Sequence, residues 1–280
     1  MMLKLAVFTD EVSQDPEKAV KLALEFGLQG VEIRSVWDTQ PQDLSASQIT
    51  ELNRLLQAHD LKAAAIASPF LKCNLGDEEA YRQHFDILRR CIALGKSLGT
   101  NIIRGFTCWK TEDTPEVWAE VERLYHKVIP ILEAEKAILA IENEHDTTAG
   151  TAASVALFLG KFNHSLLRAV WDPANEVFAE GGEAPYPNAY QRIKPYVAHV
   201  HVKDALRDDA GQPHVAIVGK GSIDWRGQLK ALAEDGYGGW ISLETHSRMI
   251  QLPEGTDASR VEEEASRLCL TALTGMLPAK

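Results

Sequence analysis

Short apolar segments recur at regular intervals along the 280 residues of the chain. Eight of them are five to seven residues long, largely apolar, and bounded by polar or turn-forming residues. This pattern is typical of strands in a parallel sheet whose two faces are covered by helices. The predicted strands span residues 3–8, 30–34, 62–67, 101–106, 137–142, 167–172, 197–203 and 240–244.

Longer segments between these strands carry apolar residues at helical spacing. Residues 45–59 begin with a serine, which is a favoured helix N-cap. Ile49, Leu52 and Leu55 then follow three positions apart, so that one face of the helix is apolar. The predicted helices span residues 15–27, 45–59, 78–98, 114–135, 151–160, 186–194, 225–235 and 259–276.

Strict alternation of strand and helix predicts a single architecture. The 280 residues divided among eight units average 35 each, and a β-α-β unit needs about 30 or more. Eight units favour a closed (β/α)₈ TIM barrel, with residues 1–280 forming one α/β domain. A doubly wound open sheet is the alternative, but its first strand–helix turn is typically rich in glycine, and FTDEVSQD has none. Residues 178–190 are expected to form a loop.

Composition and charge narrow the classes of function. Apolar residues make up 45% and charged residues 25% of the chain, which is an ordinary globular mixture. The 29 basic and 40 acidic residues give a formal net charge of −11, which disfavours a nucleic-acid partner because such proteins usually carry a basic surface. No apolar stretch reaches about 18 residues, no C-x-x-C pair is present, and the first residues do not show the apolar core and cleavage site expected of a secretory signal. We therefore expect a cytoplasmic protein that does not bind a membrane.

In a barrel of this kind, the chemistry lies at the carboxyl ends of the strands. Side chains alternate between the two faces of a strand. Because the apolar Val200 faces the helices, His201 is expected to point into the barrel, and alternation points Glu142, Asp172 and Glu244 the same way on neighbouring strands. Further polar residues at these strand ends are Glu144, His145, Asn175, His199, Lys203, Asp204 and His246.

Three carboxylates in a barrel interior need compensation, because burying charge is costly and like charges repel. Protons or a cation must therefore accompany them. One imidazole and three carboxylates suit a single divalent ion, with Mn²⁺, Mg²⁺ or Co²⁺ favoured and Zn²⁺ as a further candidate. The sequence thus predicts Glu142, Asp172, His201 and Glu244 as metal ligands.

These residues stand in segments that resemble the xylose isomerase-like TIM barrels, the sugar isomerase and epimerase superfamily that also contains endonuclease IV. The resemblance runs through nearly the whole chain, in GLQGVEIR, LAIENEH, VWDPAN, HVHVKDA, GKGSIDW and GGWISLETH. It implies that the four residues hold one divalent metal. It also implies that Glu142 and Glu244 are the catalytic acid/base groups on opposite faces of the substrate, in proton transfer at carbon through an enediolate.

Three more residues bear on the substrate. Many epimerases of this family carry a histidine where this chain has Asn175, and an asparagine can bind a substrate oxygen but cannot carry a proton at neutral pH. Arg34 ends the second strand and Arg104 lies in the fourth. Each arginine either pairs with Glu32 or the metal-site acids, or forms a fork for a substrate carboxylate or phosphate.

The I-R-x-F context of residues 103–106 also resembles the dehydroshikimate dehydratases of the family. In that interpretation a lysine or a histidine assists the loss of water, and the local candidates are Lys203 and His145 or His246. The expected function is therefore a metal-dependent sugar or sugar-phosphate isomerase or epimerase. The alternative is a dehydratase acting on an inosose or a dehydroshikimate-like keto acid. The expected partner is this small molecule, and the resemblance leaves a homodimer or homotetramer open.

Two other classes and two other features complete the sequence analysis. A DNA-repair nuclease is disfavoured by the net charge of −11, and a metal-free binding protein is the remaining class. Asp10 and Glu11, after the first strand, are expected to cap a helix or face solvent. The GKGS segment at 219–222 could cradle a phosphate through its backbone N–H groups, but we expect it to be a simple turn.

Overall fold

Eight parallel strands close into a barrel. The computed structural model describes residues 3–250, 252, 256–257 and 260–278. The barrel strands, with the whole chain's strands numbered in order, are β1 (Lys4–Phe8), β2 (Gly30–Ile33), β3 (Lys62–Phe70), β4 (Ile102–Gly105), β5 (Ile138–Glu142), β6 (Leu167–Trp171), β7 (Val197–Val202) and β10 (Trp240–Leu243). Two further strands, β8 (Asp204–Arg207) and β9 (Pro213–Ala216), form an antiparallel hairpin outside it.

Strand pairing shows how the barrel closes. Each of β1 to β6 pairs with the next strand in the chain, and β10 pairs with both β7 and β1. Leu5 lies opposite Ile241 on one side of β10, and His201 lies opposite Ser242 on the other. The predicted (β/α)₈ barrel is confirmed, and the open sheet is excluded. All eight predicted strands are present as barrel strands.

Helices follow the strands and cover the barrel. They are α1 (Pro16–Glu25), α2 (Ala46–Ala58), α3 (Glu78–Leu98), α4 (Pro115–Glu135), α5 (Ala152–Phe162), α6 (Pro173–Phe178), α7 (Tyr190–Ile193), α8 (Trp225–Glu234) and α9 (Val261–Thr274). Ser45 is the N-cap of α2, as the sequence predicted. The structure adds a reciprocal hydrogen-bonded box between Ser45 and Gln48. Leu52, Leu55 and Leu56 of this helix are buried against the barrel.

The region after β6 differs most from the sequence prediction. The segment 186–194 was expected to be one helix, but it consists of a π-helical turn at Pro185–Ala189 followed by the short α7. The short helix α6 was not predicted, since its six residues are too few for a periodic pattern. Residue 259, the first of the predicted final helix, lies outside the described residues.

The β8–β9 hairpin was also missed by the sequence pattern. Its strands are four residues each, and their burial does not alternate strictly, so neither has the signature of a half-buried strand. Gly211 turns the chain between them with a φ of +79°, a conformation that glycine adopts without strain. Among the described residues, no helix is both long and apolar enough to cross a membrane.

Candidate metal and substrate site

The ends of four neighbouring barrel strands bring together the predicted metal ligands. Glu142, Asp172, His201 and Glu244, here called the strand-end cluster, each offer a ligand atom within 4.8 Å of the others. All four side chains are buried. Glu142 is the last residue of β5, and His201 is the next-to-last residue of β7. Asp172 and Glu244 directly follow β6 and β10. The predicted convergence of these residues is present in the structure.

Strand alternation places the histidine of this cluster as expected. Val200 and Val202 pack in the hydrophobic layer between barrel and helices, so His199 and His201 point inside. Phe8 and the imidazole of His201 pack in an edge-to-face arrangement, with ring centroids 5.0 Å apart. The two imidazole nitrogens face carboxylates, Nδ1 that of Glu142 and Nε2 that of Glu32.

Glu142 is held by three polar neighbours. Its Oε2 accepts a hydrogen bond from Arg104 at 3.2 Å, and its Oε1 accepts one from Asn175 at 3.1 Å and lies 3.3 Å from Nδ1 of His201. Burial favours the neutral acid, but His201 and Arg104 outweigh it and lower the pKa of Glu142. The side chain is therefore an ionised carboxylate with a fixed orientation.

Asp172 has one satisfied oxygen and one that accepts no hydrogen bond. Its Oδ1 caps α6 by accepting from the backbone N–H groups of Ala174 and Asn175, at 2.8 and 3.1 Å. Its Oδ2 is buried and accepts no hydrogen bond, although the Nζ atom of Lys203 lies 2.8 Å away. Burial raises the pKa of Asp172. A buried carboxylate oxygen without a well-directed donor is suited to a metal ion.

Glu244 lies among cations. Its Oε1 accepts from Arg34 at 2.7 Å and lies 3.3 Å from Nε2 of His246, while its Oε2 accepts from Lys203 at 3.3 Å. Burial favours the neutral acid, but Lys203 and His246 outweigh it and hold the pKa of Glu244 well below its usual range. Like Glu142, it is an ionised carboxylate.

Charge balance in this region is more complex than the sequence suggested. The expectation that three carboxylates need protons or a metal was too simple, because the chain itself supplies cations. The four arginine and lysine side chains around the cluster, Arg34, Lys72, Arg104 and Lys203, each pair with carboxylates of the protein. Their partners are Asp10, Glu11, Glu142, Glu144, Asp172 and Glu244. Two imidazoles add to this balance, since His201 lies 3.3 Å from Glu142 and His246 lies 3.3 Å from Glu244. The donor set of the cluster fits a divalent ion.

The two arginines pair with acids of the protein. Arg34 contacts Asp10, Glu11 and Glu244 at 2.5–2.7 Å, and Arg104 contacts Glu142. This is the first of the two interpretations that the sequence allowed. It also corrects the expectation for Asp10 and Glu11. Glu11 is 6% exposed and both acids bind Arg34, whereas α1 is capped by another residue.

The remaining predicted residues lie at different depths. Asn175 is buried between Glu142 and Lys203, accepting from Lys203 at 3.1 Å. His145 lies further out, 3.1 Å from Glu144, with its ring against Phe178. The structure therefore brings Asn175 and Lys203 to the strand-end cluster, whereas the recorded contacts of His145 are with residues around the cluster.

Sequence reasoning missed a buried acid on the other side of His201. Glu32 was considered only as a partner of Arg34, which is wrong. Its carboxylate lies 2.6 Å from Nε2 of His199 and 3.2 Å from Nε2 of His201. Burial favours the neutral acid, but both histidines outweigh it and hold the pKa of Glu32 well below its usual range. The alternation in GVEI could have revealed an inward-pointing acid at this position.

The glycine-rich segment at 219–222 is a turn. The backbone N–H groups of Gly219 and Gly221 donate to Oδ2 of Asp204, at 2.7 and 3.2 Å. A carboxylate of the protein therefore occupies the position that a phosphate would need. The expected simple turn is confirmed.

The fold and these residues define a class of protein, a TIM barrel with a buried acidic site at its strand ends. The family described as "Xylose isomerase-like TIM barrel" matches residues 20–268. Because this match covers most of the chain, the protein belongs to that family. The resemblance predicted from the sequence is confirmed.

Comparison with individual proteins is less specific. Inosose dehydratase of Klebsiella pneumoniae subsp. pneumoniae is 27% identical over 144 residues, which cover 46% of this chain and 48% of that protein. The chain thus spans about half the length of this curated relative. D-allulose 3-epimerase from Methylomonas sp., solved in complex with D-allulose, has a TM-score of 0.74 at 18% identity, covering 98% of this chain and 96% of that chain.

A third similar structure contains a metal. The IOLI protein, solved with a bound zinc atom, has a TM-score of 0.76 at 18% identity, covering 99% of this chain and all of that chain (100%). At this identity the likeness to both solved structures establishes the shared fold. The proteins similar to this chain thus include a dehydratase and an epimerase.

Proposed function

We propose that this protein is a divalent-metal-dependent isomerase or epimerase that moves a proton at a carbon next to a carbonyl group. The observation that carries this proposal is the placement of two ionised carboxylates, Glu142 and Glu244, around His201. An ionised carboxylate can take a proton from carbon, and a second one can return a proton from another direction. The fold shared with a D-allulose 3-epimerase is consistent with this reaction class.

The strand-end cluster would hold the metal. A divalent ion bound there would polarise the substrate carbonyl and stabilise the negative charge that develops on its oxygen. Two observations support the fit: four donor atoms within 4.8 Å of one another, and the Oδ2 atom of Asp172 without a hydrogen bond. Oxygen-rich ligands favour Mn²⁺, Mg²⁺ or Co²⁺.

The residues around the two glutamates would keep them ready for proton transfer. Arg104 and Asn175 bind different oxygens of Glu142, so the carboxylate is oriented from both sides. In this role Asn175 orients Glu142 through a hydrogen bond, which does not require a side chain that titrates near neutral pH. Burial of the glutamates excludes bulk water, which protects an intermediate carbanion from uncontrolled protonation.

One observation favours a dehydratase as the second candidate. Lys203 is 5% exposed, and although burial disfavours its charge, Asp172 and Glu244 raise its pKa. The ammonium group therefore stays charged beside the cluster. It could donate a hydrogen bond to a hydroxyl group that departs as water with the proton that a glutamate has taken from the α-carbon. The similarity to inosose dehydratase supports this alternative.

Nuclear magnetic resonance in deuterated water tests the proposal and separates the candidates. The Mn²⁺-loaded protein would be incubated with ketoses, inososes and dehydroshikimate. Exchange of the α-proton without loss of water supports the isomerase, whereas a new conjugated enone or diene absorbance supports the dehydratase.

Two site variants and one control make the test specific. Glu142→Gln and His201→Ala should reduce turnover by about 10²-fold or more, since each loses a base or a ligand. Glu51→Gln, an exposed acid on α2 that pairs with Arg54, should leave turnover unchanged. Full activity in both site variants would refute the assignment of the site.

A further inference from the structure

The cations around the strand-end cluster are already bound by groups of the protein. Arg34 uses all three of its nitrogen atoms. Nε donates to Asp10 at 2.7 Å, Nη1 donates to Glu244 at 2.7 Å and Nη2 donates to Glu11 at 2.5 Å. An anionic substrate group that approached this guanidinium would compete with three carboxylates that already bind it.

Arg104 is engaged in the same way. Its Nη1 donates to Glu142, while Nη2 and Nε donate to the backbone carbonyls of Ala67 and Ser68 at 3.3 and 3.5 Å. Its guanidinium carbon lies 5.0 Å from the ring centroid of Phe106. The planar fork that could recognise a substrate carboxylate is therefore used within the protein.

The two lysines complete the set. The Nζ atom of Lys203 lies 2.8 Å from Asp172, 3.1 Å from Asn175 and 3.3 Å from Glu244. Lys72 is more exposed, at 29% of its side chain, and its Nζ atom lies 2.9 Å from Glu144 and 4.4 Å from the centre of the Phe106 ring. Each ammonium group has a carboxylate partner.

The third means of binding an anion, a ring of backbone N–H groups, is also occupied. The N–H groups of Gly219 and Gly221 donate to Asp204. These N–H groups, like the arginine and lysine side chains around the cluster, therefore already bind acceptors of the protein.

We propose that the substrate is an uncharged polyhydroxy carbonyl compound, a free sugar or a cyclic polyol ketone, and carries neither a phosphate nor a carboxylate. This inference rests on the proposed function for the location of the substrate. Hydroxyl groups donate hydrogen bonds, and the carboxylate oxygens around the cluster accept them. A phosphate or carboxylate would compete with these carboxylates for the arginine and lysine side chains that they already bind.

Paired substrates test the inference directly. The full-length Mn²⁺-loaded protein would be assayed for α-proton exchange with D-fructose and D-fructose 6-phosphate, and with an inosose and dehydroshikimate. We expect kcat/KM to be at least about tenfold higher for the uncharged member of each pair, which corresponds to one lost charge-assisted hydrogen bond. Preference for the charged members would refute the inference and leave the proposed function standing.

A binding experiment decides the question even if no substrate reacts. Inorganic phosphate would be titrated calorimetrically into the wild-type protein and into Glu144→Gln, which releases Lys72 from its partner. We expect weak binding by the wild type and a gain of about tenfold in the variant, because a charged donor becomes free.

The matched control for this titration is Glu180→Gln. It removes an exposed carboxylate that pairs with Lys110 on the surface, so phosphate binding should remain at the wild-type level. Wild-type affinity for phosphate equal to that of Glu144→Gln would mean that a free anion site exists, and would overturn the inference. A gain in Glu144→Gln without turnover of any substrate would instead count against the proposed function alone.

Discussion

At the scale of single residues, the partner of each buried charge determines what that charge can do. Glu32 and Arg34 are two positions apart on or just after β2, yet Glu32 binds two histidines inside the barrel and Arg34 binds three carboxylates. Glu32 lies beside Nε2 of His201, so a proton on Nε2 would be directed at Glu32. The other ring nitrogen, Nδ1, would then face Glu142 without a proton. A carboxylate in this position commonly orients a metal-binding histidine.

This arrangement predicts that Glu32 is a positioning residue for the metal. Glu32→Gln should weaken Mn²⁺ binding by about 10- to 100-fold, because His201 loses the partner that fixes its orientation. Isothermal titration calorimetry measures this change, with circular dichroism as the check that the variant is folded. Glu51→Gln is the control on the surface. An unchanged Mn²⁺ affinity in folded Glu32→Gln would show that Glu32 does not act on the metal.

The cysteines give a second prediction at this scale. A hydrogen bond with Cys108 lowers the pKa of Cys73, whereas burial raises the pKa of Cys91 to about 12 and that of Cys269 to about 11. Iodoacetamide reacts with the thiolate, so Cys73 should be alkylated first at neutral pH. Mass spectrometry of the labelled peptides measures the order, and faster labelling of Cys91 or Cys269 would contradict it.

At the scale of elements, the β8–β9 hairpin and the 219–222 turn depend on one buried carboxylate. Asp204 begins β8, is 1% exposed, and accepts from the backbone N–H groups of Ala205, Gly219 and Gly221. It thereby joins the start of the hairpin to the segment that leads into α8. Gly221 is required at this contact, because a Cβ atom there would lie 2.1 Å from Oδ1 of Asp204.

Asp204→Asn should therefore destabilise the protein by about 1–3 kcal/mol, since an amide group would face backbone donors in place of an acceptor. Urea unfolding measures the change in free energy. Asp208→Asn is the matched control, because Asp208 lies on the exposed turn of the same hairpin. We expect this substitution to lower the free energy of unfolding by less than Asp204→Asn does. Equal stability of the two variants would argue against Asp204 as the anchor.

At the scale of the whole molecule, barrel closure is what assembles the site. The strand-end cluster takes residues from β5, β7 and the ends of β6 and β10, which are separated by up to about 100 residues in the chain. A metal bound there would link four strands in the folded state only. Metal binding should therefore stabilise the whole fold.

The expected size of this effect follows from mass action. Mn²⁺ at about 100 times its dissociation constant should stabilise the wild-type protein by about 2.7 kcal/mol. Thermal unfolding with and without Mn²⁺ measures the shift. His201→Ala should lose most of it, whereas the surface variant Glu51→Gln should keep it. A wild-type protein with no shift at any Mn²⁺ concentration would count against the metal proposal.

Sequence periodicity was sufficient to predict the barrel, because strands covered on both faces and helices with one apolar face leave local patterns. It was also sufficient for the four members of the strand-end cluster, since alternation in a strand decides which side chains face inward. It failed at α6 and at the β8–β9 hairpin, whose segments are too short to show a period.

The amino-acid sequence by itself determined the order of strands and helices, the family resemblance and the set of inward-facing polar residues at the strand ends. Only the tertiary structure decided how those charges are paired. The deciding contacts join segments that are distant in the chain or have no periodic pattern. They are Arg34 with Asp10, Glu32 with His199, and the turn at 219–222 with Asp204. Local patterns report which face a residue occupies, whereas the partner across the barrel depends on strand register and closure.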